Sequence, residues 1–482
     1  MKKILPILKY AVIIIMIILS CLFIKNITDL NVLPTKYYVI LLLVIILLNI
    51  GGAILLLLKK VWTKIVGGII CSLLLLISLI GIFSLGDVNK FLNKAFNNNT
   101  IEISTYKVVT LKSSKYEKIE DLKDKDLGYL SNDEHREEVL KNVEDKVSTE
   151  KKEYEDFYNI YQDFITEKID AMVLDVVYLE ILGDEFGSIY DCLDTCSFND
   201  DYKVLDTFEI KTERKITDNH IDELKPFNIF VSGSDSRSNV IYNKSRSDVN
   251  MILTVNPNTK TVLMTTIPRD YYVQVHGQTG LKDKLTHAGI YGVDISRQTV
   301  EDLFDIEIAY SIKVGFPSVV KLVDLVGGVD IDSDREFNSY HMKGWTVKKG
   351  INHMDGAHAL AYSRERYAYT SGDRHRVLNQ QQVLEAVIKK VITNKSLLLK
   401  YNELLNSLSE LYRTDMPKDV VTLLVKDQLE NMNSWNFESQ TVSGSDASSP
   451  THTAPKSKRY VMIPYAQDVK RAHDKINEIM NN

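Results

Sequence analysis

Four arginines, Arg364, Arg366, Arg374 and Arg376, fall within thirteen positions of the stretch AYSRERYAYTSGDRHRVLNQQQ, residues 361–382. Asp373 and Gln380 stand among them. A second set lies upstream: Asp235 and Arg237 in SGSDSRSN, Arg246 and Asp248 in KSRSDVN, Arg269 and Asp270 in IPRD. A guanidinium keeps its proton at any physiological pH, and its fork matches paired phosphate oxygens. Several forks around a groove suit a pyrophosphate better than a carboxylate. Aspartates beside phosphate suit Mg²⁺, a cation that takes oxygen ligands. Taken singly, each arginine reads as a surface ion-pair partner, as does Glu365 with its neighbours. Taken as a set framed by Asp and Gln, they read as a phosphate site.

For that reading the fold must bring them to one mouth. Phe227 to Val231 is a predicted strand, with the polar loop SGSDSRSN at its C-terminal end. Val249–Val255 and Thr261–Ile267 flank the turn NPNTK and form a predicted hairpin. Arg246 and Asp248 share a face if the chain is extended there. The entrance of one hairpin strand lies beside the exit of the next, so Arg246, Asp248 and Arg269 should meet at one end of the sheet. Further on, AYSIKVGFPSVVKLVDLVGGVDI reads as strand, helix, Gly-Gly turn and strand. HALAYSRERY reads as extended, which puts Arg364 and Arg366 on one face. SGD opens a helix that runs to about Ile392, with Asp373 as candidate N-cap. On it Asp373, Arg376 and Gln380 form one stripe, and Val377, Leu384, Val387 and Val391 form the apolar one.

The first 90 residues are of another kind. Tyr10–Ile24, Tyr37–Leu58 and Ile65–Leu85 are apolar runs, each able to reach the length of a membrane-spanning helix. A cleaved signal peptide is the alternative for the first, but the immediate second and third runs favour an uncleaved anchor. Lys2, Lys3 and Lys9 precede the first run, and Lys59, Lys60 and Lys64 lie between the second and third. Positive loops stay in the cytoplasm. The N-terminus is therefore expected inside and everything after Leu85 outside, where neither ATP nor cytosolic DNA is present.

Charge is unevenly spread. Residues 101–225 hold 33 acids against 17 bases, and the remainder to residue 482 holds 29 acids against 31 bases. The arginine clusters thus sit in a nearly neutral segment, which argues against nucleic acid as a partner. The acidic middle reads as a small α/β domain: IEISTYKVV as a strand, EHREEVLKNVEDK and YEDFYNIYQDFITEKI as helices, DAMVLDVV as a buried strand. It weakly resembles one lobe of a solute-binding protein. Its charge reads as a solvated surface. Cys192 and Cys196 form a C-x3-C pair outside the membrane, as a disulfide or as two thiols. The tail SQTVSGSDASSPTHTAPKSK, residues 439–458, reads as an exposed loop, followed by a strand RYVMIPY and a final helix from about Gln467.

In order along the chain, DSR, RSD, NP, IPRD, HAGIYG, VGFPSVVKLVDLVGGVDI, HALAYSRERY and GDRHRVLNQQQ resemble the LytR-CpsA-Psr family over about 170 residues. The layout of three spans, accessory domain and then this unit is similar to the branch of that family encoded with streptococcal-type capsule genes. The resemblance implies an α/β fold: a central mixed sheet flanked by helices, with a three-helix membrane anchor at residues 1–90, a smaller extracellular α/β accessory domain at 100–222 and a catalytic domain at 225–482. It implies an extracellular transferase that moves a glycopolymer, here a capsular polysaccharide, from a polyprenyl-pyrophosphate carrier onto peptidoglycan. Carried over by motif, the pyrophosphate clamp is Arg246, Arg269, Arg364, Arg366, Arg376 and Gln380, with Arg237 beside it. The Mg²⁺ ligands are Asp235 and Asp248. Lys284 and His287, in KDKLTHAG, match a segment at the pocket edge, where HAG replaces the commoner HAY. Arg374 matches no clamp position and is expected to face solvent or the acceptor.

The implied reaction is phosphoryl transfer: an acceptor hydroxyl attacks phosphorus, and Asp373, with Asp270 second, is the candidate base. Plain helix capping is the other reading of Asp373. Apolar residues of the strands and of FPSVVKLVDLV either line a lipid pocket or form ordinary core. The membrane and other capsule-assembly proteins are the remaining implied partners. Two rival functions use the same residues: an extracellular polyprenyl-pyrophosphate hydrolase with water as nucleophile, and a non-catalytic membrane regulator of capsule synthesis.

Overall fold

The computed structural model describes residues 4–31, 33–97, 101–185, 200–213, 223–234, 243–370, 373–393, 412–431 and 434–482. Helices α1 (Ile4–Leu30), α2 (Thr35–Leu57) and α3 (Val61–Asn97) come first. Each contains a stretch long and apolar enough to cross a membrane: Lys9–Leu30, Thr35–Leu57 and Val61–Asp87. Polar contact between them is local. The Asn49 amide donates to Ser20 Oγ at 3.0 Å and to its own helix at Ile45 O, 2.8 Å, the kind of side-chain bond that ties helices together in lipid.

The accessory domain contains β1 (Ile101–Leu111), β2 (Asp126–Leu130), α4 (Arg136–Glu144), β3 (Glu150–Tyr154), α5 (Phe157–Ile165), β4 (Ala171–Asp175), α6 (Val176–Glu185) and β5 (Tyr202–Glu213). Its sheet runs β3-β2-β4-β1-β5, with β2 parallel to β3 and β4, and β1 antiparallel to β4 and β5. The predicted elements are present. The run DAMVLDVV is divided, since its last two valines already belong to α6. Cys192 and Cys196 lie outside the described residues.

The C-terminal domain is built on a six-stranded mixed sheet. In chain order its elements are β6 (Phe227–Ser234), β7 (Val249–Asn256), β8 (Thr261–Ile267), β9 (Tyr272–Val273), β10 (Asp283–Lys284), α7 (Leu285–Ala288), α8 (Val293–Phe304), β11 (Tyr310–Gly315), α9 (Phe316–Leu325), β12 (Val329–Ser333), β13 (Phe337–Asn338), β14 (Thr346–Val347), β15 (Gly350–Met354), α10 (Gly356–Arg364), α11 (Asp373–Thr393), β16 (Tyr412–Thr414), α12 (Lys418–Asn431), β17 (Asn436–Thr441), β18 (Gly444–Pro450), β19 (Lys458–Pro464) and α13 (Ala466–Asn481). The sheet order is β16-β11-β6-β7-β8-β17. The predicted hairpin is present as β7–β8, with Asn256 opposite Thr261 and Asn250 opposite Ile267.

Helices cover both faces. Phe230, Ile252 and Leu263 point to one side, against Val300 and Phe304 of α8 and Ile476 of α13. Ile229, Val231, Met251 and Leu253 point to the other, against Leu384 of α11 and Val420 of α12. This period-two alternation with both faces apolar is what a strand buried between two helical layers requires. Val377 and Val391, the outer members of the predicted apolar stripe on α11, have side chains outside the described set.

Two expectations fail here. HALAYSRERY is not extended: it is α10, started by Asp355, whose carboxylate accepts from His358 N at 2.9 Å. An N-cap acid followed by GAHALAYS favours a helix. The stretch 439–458 is not an exposed loop either. It completes β17, which pairs in parallel with β8, and supplies β18, which pairs with β19 from Gly444↔Pro464 to Pro450↔Lys458. Low hydropathy hid two strands, β17 paired by the distant β8 and β18 by the next strand in the chain, β19.

Candidate active site

β6 and β11 run parallel and end together, Gly315 opposite Ser234. β7 is antiparallel to β6 and begins at that same end, so Asp248 lies there, its amide donating to Gly233 O at 2.8 Å. β8 finishes alongside, which brings Arg269 to the same edge. Arg269 Nη1 donates to Asp248 Oδ1 at 2.6 Å, and Arg269 Nε stands 3.9 Å from Asp270 Oδ1. The predicted meeting of Asp248 with Arg269 is therefore present, and Asp270 joins it. Residues 243–248 are irregular rather than extended, so Arg246 and Asp248 reach this edge by a path other than strand alternation.

That path is fixed by neighbours on all sides. Ser245 N donates to Gly289 O at 3.0 Å, and Ser247 N donates to Thr286 O at 3.0 Å. Thr286 N in turn donates to Arg269 O at 2.8 Å. Ser247 Oγ and Ser232 Oγ share a bond of 2.7 Å, and buried Lys313 donates to Asn243 O at 2.6 Å. Gly289 explains the HAG sequence: a Cβ there would lie 2.3 Å from Ser245 O. A glycine lets the segment carrying Arg246 close onto α7; a larger residue would hold it off.

Lys284 and His287 do not form an open pocket edge. Both are buried. His287 Nδ1 lies 2.8 Å from Asp283 Oδ1, and Thr453 donates from its amide to Asp283 Oδ2 at 2.8 Å. Asp283 is held below the usual carboxylate range: burial raises it, but His287 and the backbone donors of Lys284 and Thr453 outweigh burial. The tail thus does carry polar chemistry, since Thr453 helps lock the loop behind Arg269.

The second group lies at the corner of α10 and α11. Arg364 is the last residue of α10, Glu365 turns the chain with extended backbone (ψ 127°), and Arg366 follows. Arg364 is half-buried and Arg366 exposed. Asn379 Nδ2 donates to Tyr362 O at 3.2 Å and to Glu365 O at 3.5 Å, which holds the Arg364 turn against α11. Gln380, next to Asn379 and one turn beyond Arg376, is 1% exposed. Among the described residues neither its amide oxygen nor its nitrogen has a hydrogen-bond partner. Such an orphaned amide is costly unless a ligand meets it. α11 packs on the sheet through Leu384, in one apolar cluster with Val249 and Met251 of β7. The two groups therefore sit on neighbouring elements, one at the start of β7 and one on the helix laid across it. Glu365 is not a surface ion-pair partner: it is fully buried and accepts from Tyr340 N, Tyr367 N and Ala368 N.

Asp235 and Arg237 lie outside the described residues, as do the side chains of Asp373 and Arg374; the backbone of both latter residues is in the first turn of α11. Sequence reasoning missed one contributor. Glu180 of α6, from the accessory domain, lies within Coulombic reach of Arg246 and Asp248. Desolvation pushes its carboxyl, exposed though it is, above the usual range; Arg246 opposes that shift and Asp248 adds to it. The accessory domain reaches this edge because it is docked. Ile290 packs among Val177, Ile181 and Leu182, and Lys244 pairs with Glu134 at 2.5 Å. Nothing local to α6 in the sequence signals this.

Residues 198–473 match the model of the LytR_cpsA_psr family, more than half of the chain. The chain belongs to the LytR-CpsA-Psr family. It is 35% identical over 263 residues to a Bacillus cereus protein named polyisoprenyl-teichoic acid–peptidoglycan teichoic acid transferase TagU, with 52% of this chain and 80% of that protein covered. A protein of the same name from Enterococcus faecalis is 30% identical over 222 residues, covering 46% of this chain and 72% of that protein. The crystal structure of B. subtilis TagV aligns with 53% of this chain and 98% of its own at 29% identity, with a TM-score of 0.45. The LytR-CpsA-Psr match begins after α6, so the anchor and most of the accessory domain lie outside it.

Proposed function

We propose that this chain is a membrane-anchored transferase that attaches a glycopolymer, a capsular polysaccharide, from a polyprenyl-pyrophosphate carrier to peptidoglycan through a phosphodiester. The observation that carries the reading is Gln380: a buried amide with no partner among the described residues, one turn from Arg376 and beside the Arg364 turn, in a member of this family. A pyrophosphate supplies the oxygens that such a corner lacks. The lysine distribution places the N-terminus in the cytoplasm and the site outside.

Arg246, Arg269, Arg364, Arg366, Arg376 and Gln380, with Arg237, hold the pyrophosphate and offset the charge that grows on the departing phosphate. An acceptor sugar hydroxyl attacks the phosphorus bonded to the glycopolymer. The new P–O bond forms, the bond to the bridging oxygen breaks, polyprenyl phosphate leaves with that electron pair, and the hydroxyl proton passes to Asp373 or Asp270. Among the described residues no three His, Cys, Asp or Glu side chains are grouped as a metal site. Asp248 offers this edge one buried carboxylate, with Arg269 on one of its oxygens. Asp248 and Asp235 would hold Mg²⁺, which when bound supplies further charge neutralisation at the phosphates.

The test is the full chain in detergent with a polyprenyl-pyrophosphate-linked saccharide, with and without peptidoglycan. Polymer transfer that requires peptidoglycan, and is lost in Arg364→Ala/Arg366→Ala, is the expected result. Equal carrier cleavage without peptidoglycan overturns it in favour of hydrolysis. Attachment that survives both substitutions in cells, with altered control, overturns it in favour of a regulator.

A further inference from the structure

Beside Arg366 stands a group of aromatic side chains that the transfer chemistry above does not use. Tyr340 is 69% exposed and Tyr367 57% exposed. Their ring centroids are 4.3 Å apart, and exposed His341 lies 5.4 Å from Tyr340 and 6.3 Å from Tyr367. Arg366 stacks over Tyr367 at 4.9 Å and donates to its hydroxyl at 2.8 Å. Rings left in water this way are unfavourable unless something covers them.

The platform is built. Tyr340 lies in the loop between β13 and β14, and Tyr367 lies in the turn after α10. Glu365, 0% exposed, fastens the two together: one oxygen accepts from Tyr340 N at 2.8 Å, the other from Tyr367 N at 2.9 Å and Ala368 N at 3.3 Å. Three backbone donors are what a buried carboxylate needs. The β13–β14 loop is closed on itself by Ser339 N to Trp345 O, 2.9 Å, and Met342 N to Ser339 Oγ, 3.2 Å. A buried acid is thus used to set exposed rings side by side.

We propose that Tyr340, His341 and Tyr367 form a saccharide-binding platform for the glycan of peptidoglycan, the acceptor. This rests on the transferase reading above. Sugar rings present C–H faces that stack on aromatic rings and hydroxyl and amide groups that bond to a rim of phenol, imidazole and guanidinium. The platform continues directly into the clamp through Arg366. It is open to solvent rather than walled. That shape suits an internal stretch of a long chain, and the acceptor is the polymer attacked at such a hydroxyl. The donor glycan instead enters by the end bonded to pyrophosphate.

The experiment uses the full chain in detergent and two probes: chitotetraose, a β-1,4-linked N-acetylglucosamine tetramer, and sugar-free polyprenyl pyrophosphate. Tyr340→Ala/Tyr367→Ala is expected to weaken chitotetraose binding on the order of tenfold by calorimetry. Polyprenyl pyrophosphate binding and the melting temperature should hold, and Tyr340→Phe should keep tetramer binding. In the transfer assay the double variant should raise KM for peptidoglycan and leave kcat near its original value. Equal chitotetraose binding in both proteins, or none in the unaltered chain, overturns the proposal. So does a defect confined to the lipid-linked saccharide, which would assign the platform to the donor. Tetramer binding that depends on the tyrosines, in a chain that does not bind polyprenyl pyrophosphate, sustains the platform and overturns the transferase reading.

Discussion

In the accessory domain three aspartates are met by tyrosine hydroxyls of the same domain. Tyr106 donates to Asp133 at 2.7 Å, Tyr116 to Asp170 at 2.7 Å and Tyr154 to Asp163 at 2.9 Å. In the catalytic domain the polar groups around the sheet edge are arranged otherwise. Arg269 and Asp248 pair, Glu365 is spent on orienting two tyrosines, and the Gln380 amide is met by no described residue. The first arrangement closes on itself and favours the folded state. The second leaves polar capacity for a ligand and costs stability at Gln380. Both domains are α/β, so the difference lies in side-chain pairing rather than in architecture.

The comparison is broken most directly at the clamp. Arg364→Ala/Arg366→Ala should lower glycopolymer transfer on the order of 10²–10³-fold, since charge stabilisation at a transferring phosphate is lost. The melting temperature should move little; a protein that unfolds instead would place these arginines with the structural groups. Gln380→Leu sharpens the contrast. Removing an orphaned buried amide should raise stability by about 1–3 kcal/mol, read by denaturant unfolding, while transfer falls by roughly tenfold with the hydrogen bond to the pyrophosphate. A loss of both would mean that the amide supports the fold.

The interface between the domains gives a pH test. Burial pushes the Asp175 carboxyl up to about 7 from its ordinary value of 3.8, with Lys244 opposing. The folded chain therefore keeps a proton that the unfolded chain releases between those values, and this group's contribution falls as pH rises through that window. Asp175→Asn should flatten that slope and make the protein more stable than the unaltered chain above pH 7, measured as melting temperature against pH. An unchanged slope would show that Asp175 is not the group responsible. The smallest effect is expected from Tyr116→Phe: about 1 kcal/mol of stability lost with its hydrogen bond to Asp170, and unaltered transfer activity.

Much of this was legible beforehand. Strands β6 to β8, the hairpin, the β11–α9–Gly-Gly–β12 unit and α11 follow from local alternation and turn residues, which act over a few positions. The meeting of Arg269 with Asp248 follows from hairpin geometry alone. What was misread had a local cause in one place and a distant one in another. HALAYSRERY has the composition of either state, and its capping acid decided the helix. The Ser- and Thr-rich tail became strand because β8 and β19 offer it edges.

By itself the sequence determined most of the element types, α10 and the strands of the Ser- and Thr-rich tail excepted, together with the three apolar spans, the family and the residue types available for chemistry, because these rest on short-range pattern and on motif order. Only the tertiary structure decided that Gln380 is buried with no partner among the described residues, that His287 turns inward to Asp283, that Glu365 fixes an exposed tyrosine pair and that Glu180 of the accessory domain feels the charge of Arg246. Burial and electrostatic neighbourhood are set by segments tens to hundreds of residues apart, and no local pattern encodes them.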